Sequence, residues 1–246
     1  MPDRSARSRI DLALVERGLF ASRAKAREAI EAGLVSVDGR RIAKPSEPVA
    51  PDARIEARAP YQWVSRGGVK LAAALDAFAI SPSGLACLDI GASTGGFAHV
   101  LLSRGAASVT CVDVGVGQLH AAIAGDARVK NMERIDARKL IASDLAEAPG
   151  LIVFDVSFIS LARVMAPVLA LAAPEAKVVA LIKPQFEAGP ENVRKGIVRD
   201  TKIHALVCER IEAVVAGLGW RRLGLIASPI EGGDGNREFL IGARRP

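Results

Sequence analysis

The 246-residue chain predicts an α/β protein: a mostly parallel sheet in its larger, C-terminal part, preceded by a small α+β unit. Three observations carry that expectation. From about residue 66 helical and strand-like segments alternate. Within that alternation a glycine turn, "LDIGASTGGF", joins a strand to a helix. The first 44 residues instead read as two short helices closed by a hairpin.

In "RIDLALVERGLF", Ile10, Leu14 and Val15 share a helical face, and Gly18 stops the helix. "SRAKAREAIEAG" is a second helix, with Ser22 as its N-cap and Gly33 past its end. "LVSVDGRRI" alternates like a strand and carries Asp38-Gly39, a two-residue hairpin turn. Residues 45–60 hold four prolines and one more strand, "RIEA". Up to Lys44, ten Lys or Arg stand against six Asp or Glu, which is most of the chain's net charge of +6. Arg23, Lys25 and Arg27 cluster at the start of the second helix, where backbone N–H groups also favour phosphates. Such a cluster serves either a solvated face or a nucleic-acid surface, and composition does not separate the two. The pattern "RIDLALVERGLFASRAKAREAIEAGLVSVDGR" resembles the S-four RNA-binding domain. That resemblance implies RNA docking through Arg4, Arg7, Arg9, Arg23, Lys25, Arg27, Arg40 and Arg41.

Beyond residue 66, "SRGGVKLAAALDAF" is a helix, and "LACLDIGASTGGFAHVLLSRG" is strand, turn and helix. "SVTCVDVG", "LIVFDVSFISL" and "KVVALIKPQ" supply further strands, and "RRLGLIASPI" with "REFLIGARR" reads as a closing pair. The glycine turn has the spacing D-x-G-x-x-x-G-G. It lacks the Gly-Lys-Ser/Thr of a phosphate-binding loop and the G-x-G-x-x-G of a dinucleotide site. Alone it reads as a plain strand-to-helix turn, a nucleoside site or, less well, an NAD site. Asp113 ends the next strand, where a carboxylate accepts from both ribose hydroxyls of a nucleoside. With Asp136 in "ERIDARKL", this layout resembles S-adenosylmethionine-dependent methyltransferases with a Rossmann-like class I sheet. It assigns Asp89, Gly91, Ser93, Thr94, Gly95, Gly96, Phe97, Asp113 and Asp136 to the cofactor. An acid at Asp89 suits a ligand with a cationic amino-acid tail.

Ligands of open α/β sheets bind outside the carboxyl ends of the parallel strands. Asp89, Asp113, Asp155 and Lys183 each stand at such an end. Glu238 joins them if "REFLI" runs antiparallel, and Lys70 lies in the helix leading into the first strand. Singly, each is also a surface lysine, a turn cap, an edge charge or the solvated side of a helix. Together Lys70, Asp155, Lys183 and Glu238 form the order K-D-K-E, which resembles the tetrad of FtsJ-like ribose 2′-O-methyltransferases.

Over nearly its whole length the chain resembles the TlyA family, through "YQWVSRGGVKLAAAL", "CLDIGASTGGFAHVLL", "VDVGVGQL", "LIVFDVSFISL", "LIKPQFEAG", "KGIVRD" and "GNREFLI". The resemblance implies methylation of a cytidine ribose in ribosomal RNA, S-adenosylmethionine as cofactor, and ribosomal RNA or ribosomal subunits as partner. It divides the chain into an S-four-like domain at 1–60, a linker at 61–65 and a methyltransferase domain at 66–246. Arg66, Lys195 and Arg199 extend the RNA surface toward the cleft, and the basic loop "RKGIVRD" is expected to close over substrate. Some members carry an arginine two residues before the linker tryptophan. Here Tyr61 takes that position, so coupling through that arginine does not carry over. Two alternatives stand beside this reading: a membrane-lytic hemolysin, and an RNA-binding protein with an inactive methyltransferase fold. The absence of an apolar export signal, and an apolar stretch from Val164 to Ala173 broken by Pro167, argue against the first. Three scattered cysteines and three scattered histidines predict a reducing, cytoplasmic setting and no metal site.

Overall fold

The computed structural model of the chain describes residues 7–20 and 22–246, and for Asp234 the backbone alone. Arg4, a predicted RNA contact, lies outside the described residues. The chain divides into two compact units, Met1–Gln62 and Trp63–Pro246. The predicted linker is thereby split, and Trp63 packs within the second unit, edge-on to His99 at 5.5 Å between ring centres.

The first unit contains β1 (Ser8–Arg9), α1 (Ile10–Glu16), α2 (Arg23–Glu31), β2 (Val35–Val37), β3 (Arg40–Arg41), β4 (Pro48–Val49) and β5 (Ile55–Ala57). β1 pairs antiparallel with β4, and β3-β2-β5 form an antiparallel sheet. The apolar faces of α1 and α2 (Ile10, Leu14, Ala26, Ala29 and Ile30) close over Val35, Val37 and Ile42 as one core. Ser22 caps α2, accepting the Lys25 N–H at 3.4 Å. Asp38 and Gly39 both take positive φ, 50° and 80°, the geometry that a two-residue hairpin needs.

The second unit contains α3 (Gly67–Ala77), β6 (Ala86–Ile90), α4 (Gly96–Ser103), β7 (Ser108–Asp113), α5 (Ala121–Ala124), β8 (Val129–Glu133), β9 (Leu151–Phe154), α6 (Leu161–Leu169), β10 (Lys177–Ile182), α7 (Thr201–Gly217), β11 (Arg221–Ala227) and β12 (Phe239–Arg244). The sheet order is β11-β12-β10-β9-β6-β7-β8, and β12 alone runs against its neighbours. Helices α3 and α4 cover one face, and α6 and α7 the other. The unit is therefore the predicted α/β sheet, mostly parallel with one antiparallel strand. The run Val164–Ala173 belongs to α6 and the turn after it, and Val164, Val168, Leu169 and Ala172 are core residues. β8 was not visible in the sequence. Its residues, "VKNME", are half to fully exposed at the sheet's edge and lack an apolar run. Strand order reverses beside β6, with β7 on one flank and β9 on the other, so a crevice opens there.

Candidate active site

Why charged residues collect at one edge follows from the strands. β9 is "LIVF", buried at all four positions, and can carry a charge only where it leaves the sheet, at Asp155. β10 is likewise apolar and buried from Val178 to Ile182, so Lys183 is the first residue past the sheet. β12 runs antiparallel and pairs Phe239 with Ile182. Glu238, one residue earlier, thus emerges beside Lys183.

Two lysine–carboxylate pairs result. Lys70 Nζ lies 2.5 Å from Glu238 Oε2, with side chains 10% and 2% exposed. Lys183 Nζ lies 2.6 Å from Asp155 Oδ1 and donates a hydrogen bond to Ser157 Oγ at 2.9 Å. A Cβ on Gly67 would sit 3.6 Å from Asp155 Oδ2, so the helix bearing Lys70 abuts the loop bearing Asp155. The structure gives each lysine its own carboxylate.

Asp155 and Ser157, the two partners of Lys183, line a cavity of about 450 Å³, within the range of small-ligand sites; Lys70, Lys183 and Glu238 are not part of its wall. Its wall includes Gly91, Ser93, Asp113, Gly115, Gln118, Asp136, Arg138, Asp155, Ser157 and Phe158. Gly91 has φ +83°, and a Cβ there would lie 2.6 Å from the Asp155 carbonyl oxygen. Only glycine lets the turn after β6 pass so close to the end of β9. Asp113 is fixed by two backbone donors: Ser93 N–H to Oδ2 at 2.8 Å and Gly115 N–H to Oδ1 at 2.7 Å. Asp136 caps the next turn and is gripped by Arg138, whose Nη2 stands 2.6 Å from its Oδ2. Those hydrogen bonds hold its carboxyl down at about 2.

Several predicted cofactor residues do not line this cavity. Asp89 is wholly buried and neither of its carboxylate oxygens has a well-aligned hydrogen-bond partner. Burial pushes its carboxyl up to about 8, Asp155 and Asp113 add to the rise, and the Ala98 N–H opposes it. Thr94, Gly95, Gly96 and Phe97 also fall outside the wall. Gly96 serves helix packing: a Cβ there would strike Ser65 Oγ and lie 3.1 Å from Gly68 N, where α3 crosses α4.

Sequence reasoning missed Gln118, Ser157, Phe158 and Phe186. Ser157 and Phe158 stand inside "DVSFISL", yet nothing in their spacing marks them. Phe158 is 91% exposed, sits at φ 62° and faces Phe186 at 5.0 Å between ring centres. A bulky residue is rarely held in that backbone region unless its surroundings fix it.

The basic candidates fall into two sets. In the first unit, Arg9 binds Asp11 through two hydrogen bonds, 3.0 and 3.1 Å, and Arg23 reaches the same carboxylate at 3.0 Å. Arg40 pairs with Glu47. Arg7, Arg27 and Arg41 are exposed, and Lys25 is half-buried. In the second unit, Arg66, Lys195 and Arg199 are exposed. "RKGIVRD" is not an open loop. Arg194 and Ile197 exchange two 3.0 Å backbone bonds around Lys195 and Gly196, both at positive φ. Buried Asn236 ties this hairpin to the loop before β12, accepting from Val198 N–H at 3.3 Å and donating to Gly196 O at 2.9 Å.

Cys87, Cys111 and Cys208 are all free and buried. Known proteins share both units. Residues 63–245 match the model of the FtsJ-like methyltransferases, and residues 8–55 match that of the S4 domain. The 16S/23S rRNA (cytidine-2′-O)-methyltransferase TlyA of Mycobacterium tuberculosis is 43% identical over 241 residues, 97% of this chain and 90% of that protein. Hemolysin A of Brachyspira hyodysenteriae is 38% identical over 94% of this chain and 98% of its own. A solved structure from Streptococcus thermophilus, named as a hemolysin, superposes with a TM-score of 0.77 at 39% identity, covering 98% of this chain and 89% of that one. The chain therefore belongs to the FtsJ-like methyltransferase family, as a TlyA-type member that carries an S4 domain ahead of that fold.

Proposed function

We propose that the chain transfers a methyl group from S-adenosylmethionine to the 2′-oxygen of a cytidine ribose in ribosomal RNA. The observation that carries this is the pair of lysine–carboxylate contacts at the ligand edge, Lys183–Asp155 and Lys70–Glu238, with Asp155 itself in the wall of an acid-lined cavity. The cytidine comes from the name of the mycobacterial relative. The division of labour follows the two units: residues 1–60 dock the RNA on Arg7, Arg9, Arg23, Lys25, Arg27, Arg40 and Arg41, and residues 66–246 hold the cofactor and the reacting ribose. The partner is ribosomal RNA or a ribosomal subunit, met in the cytoplasm.

The cavity suits the cofactor by its donor set. Asp113, already oriented by Ser93 and Gly115, keeps free lone pairs for two ribose hydroxyls. Asp113, Asp136 and Asp155 outnumber Arg138 on the wall, which favours a cation. S-adenosylmethionine supplies a methyl group on a positively charged sulfonium. The protein's own residues do the rest. Lys183 accepts the 2′-hydroxyl proton as that oxygen attacks. Asp155 holds Lys183 in place. Lys70, held by Glu238, sets a positive charge near the oxygen as negative charge develops there. Phe158 and Phe186 offer the base an apolar face at the cavity rim. Much of the acceleration comes from alignment of the attacking oxygen with the methyl group.

The test is transfer of labelled methyl from S-adenosylmethionine to purified ribosomal subunits, with wild type and Lys183→Ala. Alkali-resistant linkages mark a blocked 2′-oxygen. Label in those linkages, reduced about 10²- to 10⁴-fold in the variant, is the expected outcome. Label on a base would overturn the assignment.

A further inference from the structure

A lysine that takes a proton from a hydroxyl is neutral when it does so. Its nitrogen then carries two N–H groups and one lone pair, spread tetrahedrally about the bond to Cε. Where the lone pair points depends on where the two N–H groups are held. Lys183 Nζ has two oxygens within reach, Asp155 Oδ1 at 2.6 Å and Ser157 Oγ at 2.9 Å. The two contacts differ in kind. The Asp155 contact is an ion pair without the alignment of a hydrogen bond, whereas the Ser157 contact has that alignment. Charge attraction fixes a distance, and an aligned hydrogen bond fixes a direction. The lysine stem has four rotatable bonds and is only 12% exposed, so water is a poor substitute for a lost partner. Asp155 and Ser157 both line the cavity and stand two residues apart on the turn after β9.

We propose that Ser157 is a positioning residue of the methyl transfer, whose hydroxyl holds Lys183 Nζ so that its free direction faces the ribose 2′-oxygen. This rests on the 2′-O reading of the same site. Ser157 carries no charge and acts only through Lys183. It sets the geometry of proton removal, not the grip on cofactor or RNA.

The experiment is methylation of purified ribosomal subunits by the full chain, comparing wild type, Ser157→Ala and Ser157→Thr. Ser157 is exposed, so the variants keep the fold, and matching melting temperatures check it. Ser157→Ala is expected to lower kcat by about tenfold to a hundredfold, the cost of a slightly misplaced reacting group. KM for S-adenosylmethionine and for subunits is expected to stay within about threefold of wild type, and Ser157→Thr to recover most of the lost kcat. An alanine variant with wild-type kcat would overturn the assignment. So would a defect confined to KM, which would make Ser157 a ligand contact, or a threonine variant no better than alanine. Wild type alone tests the underlying reading. If it leaves no alkali-resistant label, the 2′-O assignment fails and takes Ser157 with it. If wild type labels and alanine matches it, Ser157 alone fails.

Discussion

Asp89, at the end of β6, is a carboxyl group sealed from water at the ligand edge of the sheet. Its position at the end of β6 was legible from "CLDI". Its isolation was not, because that depends on α4 closing over it. With its carboxyl pushed up to about 8 from 3.8, the folded state holds one more proton than the unfolded state between those pH values. The stability that the neutral carboxyl contributes is full below about pH 4 and is lost as pH rises through about 8. Wild type should therefore lose melting temperature relative to Asp89→Asn as pH is raised from 5 to 9, and parallel curves would sink the idea. The two lysines of the site differ in the same physical sense. Lys70 and Glu238 are nearly out of water, and removing one partner strands a buried charge. Lys70→Ala should cost about 3–5 kcal/mol of stability. Lys183→Ala should cost distinctly less, because Asp155 is 23% exposed and keeps access to water. Chemical denaturation of the two variants checks the ranking, and equal losses would contradict it.

At the scale of elements, the basic N-terminal helices look from composition like a simple excess of charge. The structure makes them depend on an acid. Asp11 has no exposed surface, yet lies shallowly enough for Arg9 and Arg23 to reach it from outside. The Arg9 hydrogen bonds hold its carboxyl at about 2 against the opposing pull of burial, with Arg23 assisting. That acid fixes the start of α1 to the start of α2 and presents two guanidiniums side by side. Asp11→Asn should therefore weaken binding of the full chain to ribosomal RNA, although it makes the protein more positive. A filter-binding titration at fixed salt decides it, and tighter binding would restore the bulk-charge view. The turn after Lys183 has a similar hidden brace. Glu187 Oε1 accepts the Leu161 N–H at 2.6 Å, and its Oε2 accepts from Ser160 Oγ at 2.8 Å. It thus satisfies the free N-terminus of α6 from another segment. Glu187→Ala should cost about 1–3 kcal/mol, read as a lower midpoint in chemical denaturation. The sequence revealed β9 and β10 because apolar runs announce buried strands. It hid this brace because the partners stand 26 and 27 residues apart.

For the whole molecule, the alternation of helix and strand made the α/β sheet legible, and the order K-D-K-E placed four charges at one edge. What stayed out of reach was the cavity wall supplied by side chains with no motif of their own: Gln118, Ser157 and Phe158. Their positions are set by the turns that follow β7 and β9, and turns are specified less strongly than buried strands. The same scale carries a prediction about the division into two units. Each has its own core: among the described residues the N-terminal cluster and the two that flank the large sheet have separate members. The cavity proposed for the cofactor is lined, among the described residues, by residues between Ile90 and Val164. Removing residues 1–60 should thus leave S-adenosylmethionine affinity within about twofold, as measured by calorimetry. Methylation of ribosomal subunits should fall to background, because the truncated chain lacks the arginines proposed to neutralise RNA phosphates. The salt dependence gives a second reading. Each RNA phosphate that the truncated chain leaves without a cation should flatten the slope of log K against log salt by about 0.7 to 0.9. The truncated chain should therefore bind RNA both more weakly and with less sensitivity to salt. A truncated chain that methylates subunits at the full rate would mean that the sheet's own edge, with Arg66, Lys195 and Arg199, suffices to recognise the RNA.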